Sequence, residues 1–253
     1  MLADAWIVMV KEWREVLVRG MGLRGSVGFF GLILLVFGIA VPFRAGWLWV
    51  SVPYIALTFA WLPLMLVMAV VADSFAGERE RHTLETLLAS RLSDASILYG
   101  KAGAAVAVAY GMLLLVSAMS IVTVNISVAR PDPWGRPLLW NGPETFGVVV
   151  FGLLLTILCA TVGVMVSLRS ETVRQANLRL SMGLIVFFPA LSFVLGGLWA
   201  VLPPATQTSA LEKMSLWDPL AAMGIAAVLL LALDAGLLLV ASRMFVRSKL
   251  ILD

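Results

Sequence analysis

The chain has 253 residues, of which 61% are hydrophobic and 13% charged, and its net charge is +3. A mean hydropathy of +1.01 is far above that of a soluble globular domain and requires several membrane spans, which makes this an integral membrane protein. The small basic excess needs no nucleic-acid partner, and one cysteine, Cys159, excludes an intramolecular disulfide or a cysteine-ligated metal cluster and is read as a packing residue.

The amino terminus, residues 1–24, reads as an amphipathic helix lying in the membrane interface. Trp6, Met9, Val10, Trp13, Val16 and Leu17 recur at helical spacing, with Lys11, Glu12, Arg14 and Glu15 interleaved. Gly20, Gly22 and Gly25 end it, and the first apolar run starts too late, with no small-residue cleavage pattern after it, for a cleavable signal. Uncharged intervals long enough for a crossing are Gly25 to Phe43, Ala45 to Ala72, Ala102 to Ala129, Thr145 to Leu168, Leu180 to Leu211 and Pro219 to Leu233, the last continuing past Asp234 to Ser242. The expected fold is therefore all-α, a single transmembrane domain over residues 1–253 with six spans. The fifth interval is too long for one simple span. Its Gly196-Gly197 and Pro203-Pro204 predict a break and a short re-entrant or interfacial piece between spans five and six.

Lysine and arginine set the orientation, because basic residues stay on the cytoplasmic side. With loops taken alternately, Lys11, Arg14, Arg19, Arg24, Arg79, Arg81, Arg91, Lys101, Arg169, Arg174, Arg179, Arg243, Arg247 and Lys249 share one side. Arg44, Arg130, Arg136 and Lys213 take the other. Both termini are then cytoplasmic, in a multi-pass protein of the cytoplasmic (inner) membrane. The outer side carries Ala129 to Glu144, too rich in proline and glycine for a long regular element, and a second connection. There Ser209 and Glu212 read as a capping box for a short helix. Trp134, Trp140, Trp199 and Trp217 near these ends read as bilayer anchors.

Between spans two and three, over residues 74–101, lies a charged island. Leu84, Leu87, Leu88 and Leu92 fall on one helical face, and Glu78, Arg81, His82 and Glu85 make a second. Ser93-Asp94 breaks or recaps this helix, and Gly100-Lys101 marks the return to the membrane. A helix resting on lipid would aim its acidic residues at an anionic surface. A protein partner explains them better.

The run "ERERHTLETLL", followed by Gly100-Lys101, resembles the signature between the second and third spans of type-2 ABC exporter permeases. Six spans, a lead-in helix and a broken segment before the last span match as well, so the resemblance covers essentially the whole chain. His82 stands where that family usually has glycine, and Arg91 where proline is common. The resemblance implies a permease subunit that forms the pathway with a second copy or a related chain. A separate cytoplasmic ATPase, which carries the ATP and magnesium, would dock on the cytoplasmic coupling helix. Glu78, Glu80, Arg81 and Glu85 become the docking or coupling candidates, with Arg14 and Glu15 of the lead-in helix behind them. No cofactor is expected on this chain, and its Gly100-Lys101 lacks the upstream glycine of a phosphate-cradling loop, since Ala95 stands there.

Two rival readings start from carboxylates at membrane depth. An intramembrane enzyme would need Asp73 and Asp234 at one depth, yet Asp73 ends the second span; no HExxH run occurs, and His82 is too far from the spans to serve their serines. An ion-coupled transporter would rest on Asp234, without a visible inverted repeat. Asp234 itself is read as a carboxylate satisfied by a neighbouring helix, with a pathway role as the alternative. The span interiors suit an apolar or amphipathic cargo. In a Cys159→Ala background, single cysteines at His82, Arg174 and Arg247 should be labelled from the cytoplasm and those at Arg136 and Lys213 from outside. Labelling of positions 82 and 136 from the same side would break the six-span topology.

Overall fold

The computed structural model describes residues 2–18, 22–51, 62–128, 138–140, 142–204, 206–209 and 219–245, and every regular element among them is helical. The amphipathic amino terminus forms α1 (Leu2–Val18). The first apolar run is one continuous helix built from α2 (Gly22–Ile33), a π-helical stretch (Leu34–Ala40) and α3 (Val41–Ala45). The second interval holds α4 (Leu48–Ser51) and α5 (Leu62–Val71). Two short helices, α6 (Ala76–Glu80) and α7 (Leu84–Leu88), carry the charged island. Then come α8 (Asp94–Ser127), α9 (Gly142–Phe146), a π-helical stretch (Gly147–Phe151), α10 (Gly152–Leu168), α11 (Val173–Val201) and α12 (Pro219–Met244).

Four of these helical runs, Gly28–Ala45, Asp94–Ser127, Gly142–Leu168 and Leu220–Met244, are long and apolar enough to cross a membrane. Outward side chains on them fit lipid rather than water, as with Leu229, which is 67% exposed; α11, outside these four, likewise presents Phe193 at 82% exposure.

The longest helix, α8, has 34 residues and spans about 51 Å. It is the hub of the bundle, packing against α1, α5, α10 and the π stretch of the first run. Ile97, Leu98, Leu113, Val116 and Val124 of α8 are fully buried in one core with Leu66, Val71, Phe75 and Val164. Away from water the backbone must satisfy itself, so the π-helical turns, which disturb the regular ladder, need partners. They find them on α8: Thr123 Oγ1 donates to the Gly38 carbonyl at 2.8 Å, and the Tyr110 hydroxyl donates to that of Val149 at 2.9 Å.

Several sequence expectations change here. The charged island is not one amphipathic helix, because the chain turns sharply between α6 and α7. Ser93 does not recap that helix but starts α8, its Oγ accepting from the Ser96 amide at 3.2 Å, so Gly100-Lys101 lies inside a helix. The fifth run starts earlier than expected, at Val173, and continues unbroken through Gly196-Gly197, since neither glycine removes a backbone donor. The helix ends at Val201, just before Pro203-Pro204, and residues 206–209 are helical again. Glu212 of the capping box, Trp134, Trp217 and residues 129–137 of the proline-rich connection lie outside the described residues, as does the side chain of Trp199. Trp140 is partly buried and packs against the main core.

Glycine sets how closely α1 and α8 meet. A Cβ on Gly100 would sit 2.6 Å from the Val8 Cβ and 2.8 Å from the Ala5 carbonyl oxygen, and the latter is backbone that no rotamer change can move. Gly100→Val should therefore lower thermal stability by about 1–3 kcal/mol, and Val8→Ala should not restore it. Gly111→Ala, where a Cβ meets nothing within 4 Å, is the neutral control, and thermal unfolding in detergent is the measurement.

Candidate functional site

The charged segment from Ala72 to Ser93 is held on two sides. On the first side is Lys101, whose side chain is 0% exposed. Its ammonium donates to Glu12 Oε1 of α1 at 2.7 Å, to Glu78 Oε1 of α6 at 2.9 Å and to the Ser74 carbonyl at 2.7 Å. Three donors thus meet three acceptors, and the Phe75 ring lies 5.1 Å away. Lys11, half-exposed, lies 3.8 Å from Glu78 Oε1 and 3.9 Å from Glu12 Oε1, so the two lysines bridge the same two carboxylates. Local sequence explains the arrangement. Gly100 admits α1, and Val8 and Glu12, one turn apart, share the face of α1 that meets α8. Breaking such a buried pair by removing one partner costs about 3–5 kcal/mol, because the other charge is left uncompensated.

The second side faces α10 and α11. Ser167 Oγ accepts from the amides of Phe75 and Ala76 at 3.2 and 3.1 Å, and its hydroxyl lies 3.2 Å from the Ala72 carbonyl. Arg79 donates to the carbonyls of Ser170 at 2.8 Å and Leu168 at 3.3 Å, where α10 ends and its carbonyls lack helical partners. Glu80 Oε2 accepts from the Val173 amide, the first of α11, at 3.1 Å. One short segment therefore touches α1, α8, α10 and the start of α11.

The turn between α6 and α7 explains the split of the expected charged face. The Thr83 amide donates to the Glu78 carbonyl at 2.9 Å and the His82 amide to that of Arg79 at 3.1 Å, which is the Schellman ending of a helix. That ending needs a left-handed residue, and His82 supplies it with φ of 56°. Glu78 is consequently turned inward, 6% exposed and committed to Lys101, and the docking expectation for it gives way to an internal role. Glu80, Arg81, His82 and Glu85 are exposed. Arg81 pairs with Asp73 at 3.1 Å across Gly77, where a Cβ would collide with both side chains. The hydrogen bond to Asp73 raises the Arg81 guanidinium above its ordinary value, outweighing a lowering by burial. On α1, Arg14 is exposed and Glu15 Oε1 lies 3.8 Å from Lys11. The leucine face is real in part: Leu84 is buried, and Leu87 and Leu92 pack against the main core.

Asp234 stands apart from this cluster, about 15 Å along α12 from Met244. It is 2% exposed, and neither carboxylate oxygen has a hydrogen-bond partner among the described residues, so the expected neighbouring-helix partner is not found there. Asp73 is committed to Arg81, which leaves the two aspartates in different settings.

Sequence reasoning missed Lys101, Glu12, Arg79 and Ser167 as working parts. For Lys101 a signal was present: a lysine followed by the small residues Ala102, Gly103, Ala104 and Ala105, which permit close helix approach. Nothing in sequence marks Ser167 or Arg79, whose partners are some 90 residues away and mostly backbone.

The family model described as ABC-2 family transporter protein matches residues 50–246, well over half of the chain. No curated protein matches it. The match includes α5 to α12 and the whole charged segment, whereas α1 and Glu12 precede it.

The left-handed position of His82 costs a non-glycine residue about 1–2 kcal/mol, less for histidine than for branched side chains. His82→Gly should raise the thermal unfolding midpoint and His82→Val should lower it, both read by thermal unfolding of the purified protein.

Proposed function

Because the chain belongs to the ABC-2 family of transporter proteins and is the membrane component of such a transporter, we propose that it is the permease subunit of an exporter. A separate ATP-binding-cassette ATPase holds the ATP and magnesium and drives it. Six spans cross the cytoplasmic membrane in this reading. The first four are the helical run through α2 and α3, the run through α4 and α5, α8, and α9 with α10. The last two are α11 and α12, and both termini are cytoplasmic, as the distribution of lysine and arginine favours. A second permease subunit, identical or related, completes the pathway. Asp234, buried without a hydrogen-bond partner among the described residues, is the polar group assigned to that pathway, and its cargo is apolar or amphipathic.

One observation carries this reading: the charged segment contacts α1, α8, α10 and the start of α11 at once while presenting Glu80, Arg81 and Glu85 outward. A subunit that grips the outward face therefore acts on several membrane helices through one short lever. Carboxylates accept and the guanidinium donates, so the face fits a partner surface of mixed charge in one register. Glu15 of α1 lies near enough for its charge to act on Arg81, and Arg14 is exposed on the same helix.

Exposed ion pairs contribute about 0.2–1 kcal/mol each, so a single substitution should only trim docking. Glu80→Lys with Glu85→Lys should release the ATPase from the purified complex, or leave it bound with its hydrolysis no longer tied to transport, while the permease still inserts. Retention of wild-type copurification and wild-type transport by this double variant would refute the docking face.

A further inference from the structure

The proposed function requires a push on the charged segment to reach the membrane helices, and the two sides of that segment are built differently. Toward α10 and α11 the contacts involve main-chain groups and small side chains: Ser167 holds the Phe75 and Ala76 amides in a buried position and Ala76 packs with Ala176, while the bonds of Arg79 and Glu80 lie in part-buried or exposed positions where water can replace them. Toward α1 and α8 the contact is a fully buried ammonium held by two carboxylates from two different elements. Separating either element from Lys101 would strand a buried charge, which is far costlier than exchanging an accessible hydrogen bond for water.

We propose that Lys101 is a positioning residue that binds α1, the charged segment and the start of α8 into one moving body. The proposal rests on the exporter reading for the source of the push and goes beyond it in naming the junction through which motion is transmitted.

Several features converge on Lys101. Its three donors are divided between α1, through Glu12, and the segment, through Glu78 and the Ser74 carbonyl. Val8 and Gly100 bring α1 against α8 directly beside it. Lys11 bridges the same two carboxylates from the exposed side, closing a ring of alternating charge. An apolar side chain would fill the site at lower desolvation cost, but it would not fix the register of three elements. A buried ion pair does that, because each partner has a single satisfactory position.

The test uses pairs of spin labels at the exposed positions Ala3 on α1, Thr86 on α7 and Tyr99 on α8, in a Cys159→Ala background reconstituted in nanodiscs. With the permease alone, both the Ala3–Thr86 and the Thr86–Tyr99 distance distributions should be narrow. Lys101→Met should broaden both. Glu12→Gln, the milder variant and the one to rely on if Lys101→Met does not fold, should broaden the first and leave the second unchanged. Distributions that stay narrow in Glu12→Gln would overturn the tie between α1 and the segment. In the complex with its ATPase, ATP with vanadate should leave the wild-type distributions narrow. In Glu12→Gln the ATPase should stay bound and hydrolyse ATP, while Ala3–Thr86 broadens further on nucleotide binding, a response that a purely structural role would not give. An identical nucleotide response in wild type and Glu12→Gln would overturn the transmission role. If no ATPase copurifies with the wild type, the exporter reading fails and the transmission role with it, and the tie itself is decided by the permease-alone comparison.

Discussion

A lysine ammonium at the junction of three helical elements is the constraint around which the described bundle is organised. Lys101 has no exposed side-chain surface, so its charge must be met inside the protein, and Glu12, Glu78 and the Ser74 carbonyl meet it at 2.7 to 2.9 Å. Glu12 draws an amphipathic helix onto α8 instead of leaving it on lipid alone, and Glu78 turns α6 inward. The chain between them is thereby fixed: Phe75 stacks beside the ammonium and packs against Phe245, whose ring centroid is 5.3 Å from its own.

Seen from Lys101, the rest of the charged segment follows from satisfying backbone groups at helix ends. The last carbonyl of α10 and that of Ser170 just beyond it are taken by Arg79, the amides that begin α6 by Ser167, and the first amide of α11 by Glu80. All but the Ser170 carbonyl are groups left without a partner at the end of their own helix. The segment works as a shared cap for several helices, which is why a charged and polar stretch is ordered where four elements converge. The His82 turn completes this by reversing direction after only five residues of helix, separating an inward carboxylate, Glu78, from the outward residues Arg81 and Glu85.

Farther along α8 the same demand is met with neutral groups. Gly38 and Val149 lie in π-helical stretches on two neighbouring runs, and hydroxyls of Thr123 and Tyr110 reach their carbonyls. Glycine provides the other half of the packing: Gly163 lets α10 approach so near that a Cβ would lie 2.9 Å from Val71 of α5. Asp234, whose carboxylate oxygens find no hydrogen-bond partner among the described residues, shares that condition with Glu78 Oε2 and Ser117 Oγ.

Composition and hydropathy alone determined that the protein is helical and membrane-embedded, since apolar runs of that length have few other stable solutions. The amphipathic period of α1, the leucine face at Leu84 and Leu87, and the run from Glu78 to Glu85 were legible because each is a local pattern within a few turns. The resemblance carried by that run agrees with the ABC-2 family match. Helix boundaries were less legible. Gly196-Gly197 looked like a break and is not one, because glycine weakens a helix without removing its hydrogen bonds, whereas Pro203-Pro204 closely follows the end of α11. The tertiary structure alone decided which charges are spent inside and which face outward. Glu78 and Glu80 are two residues apart, and no local rule distinguishes a carboxylate that meets Lys101 from one that meets the start of α11. Those partners lie 23 and 93 residues away in sequence, and only the packing of α1, α8, α10 and α11 brings them within hydrogen-bonding distance.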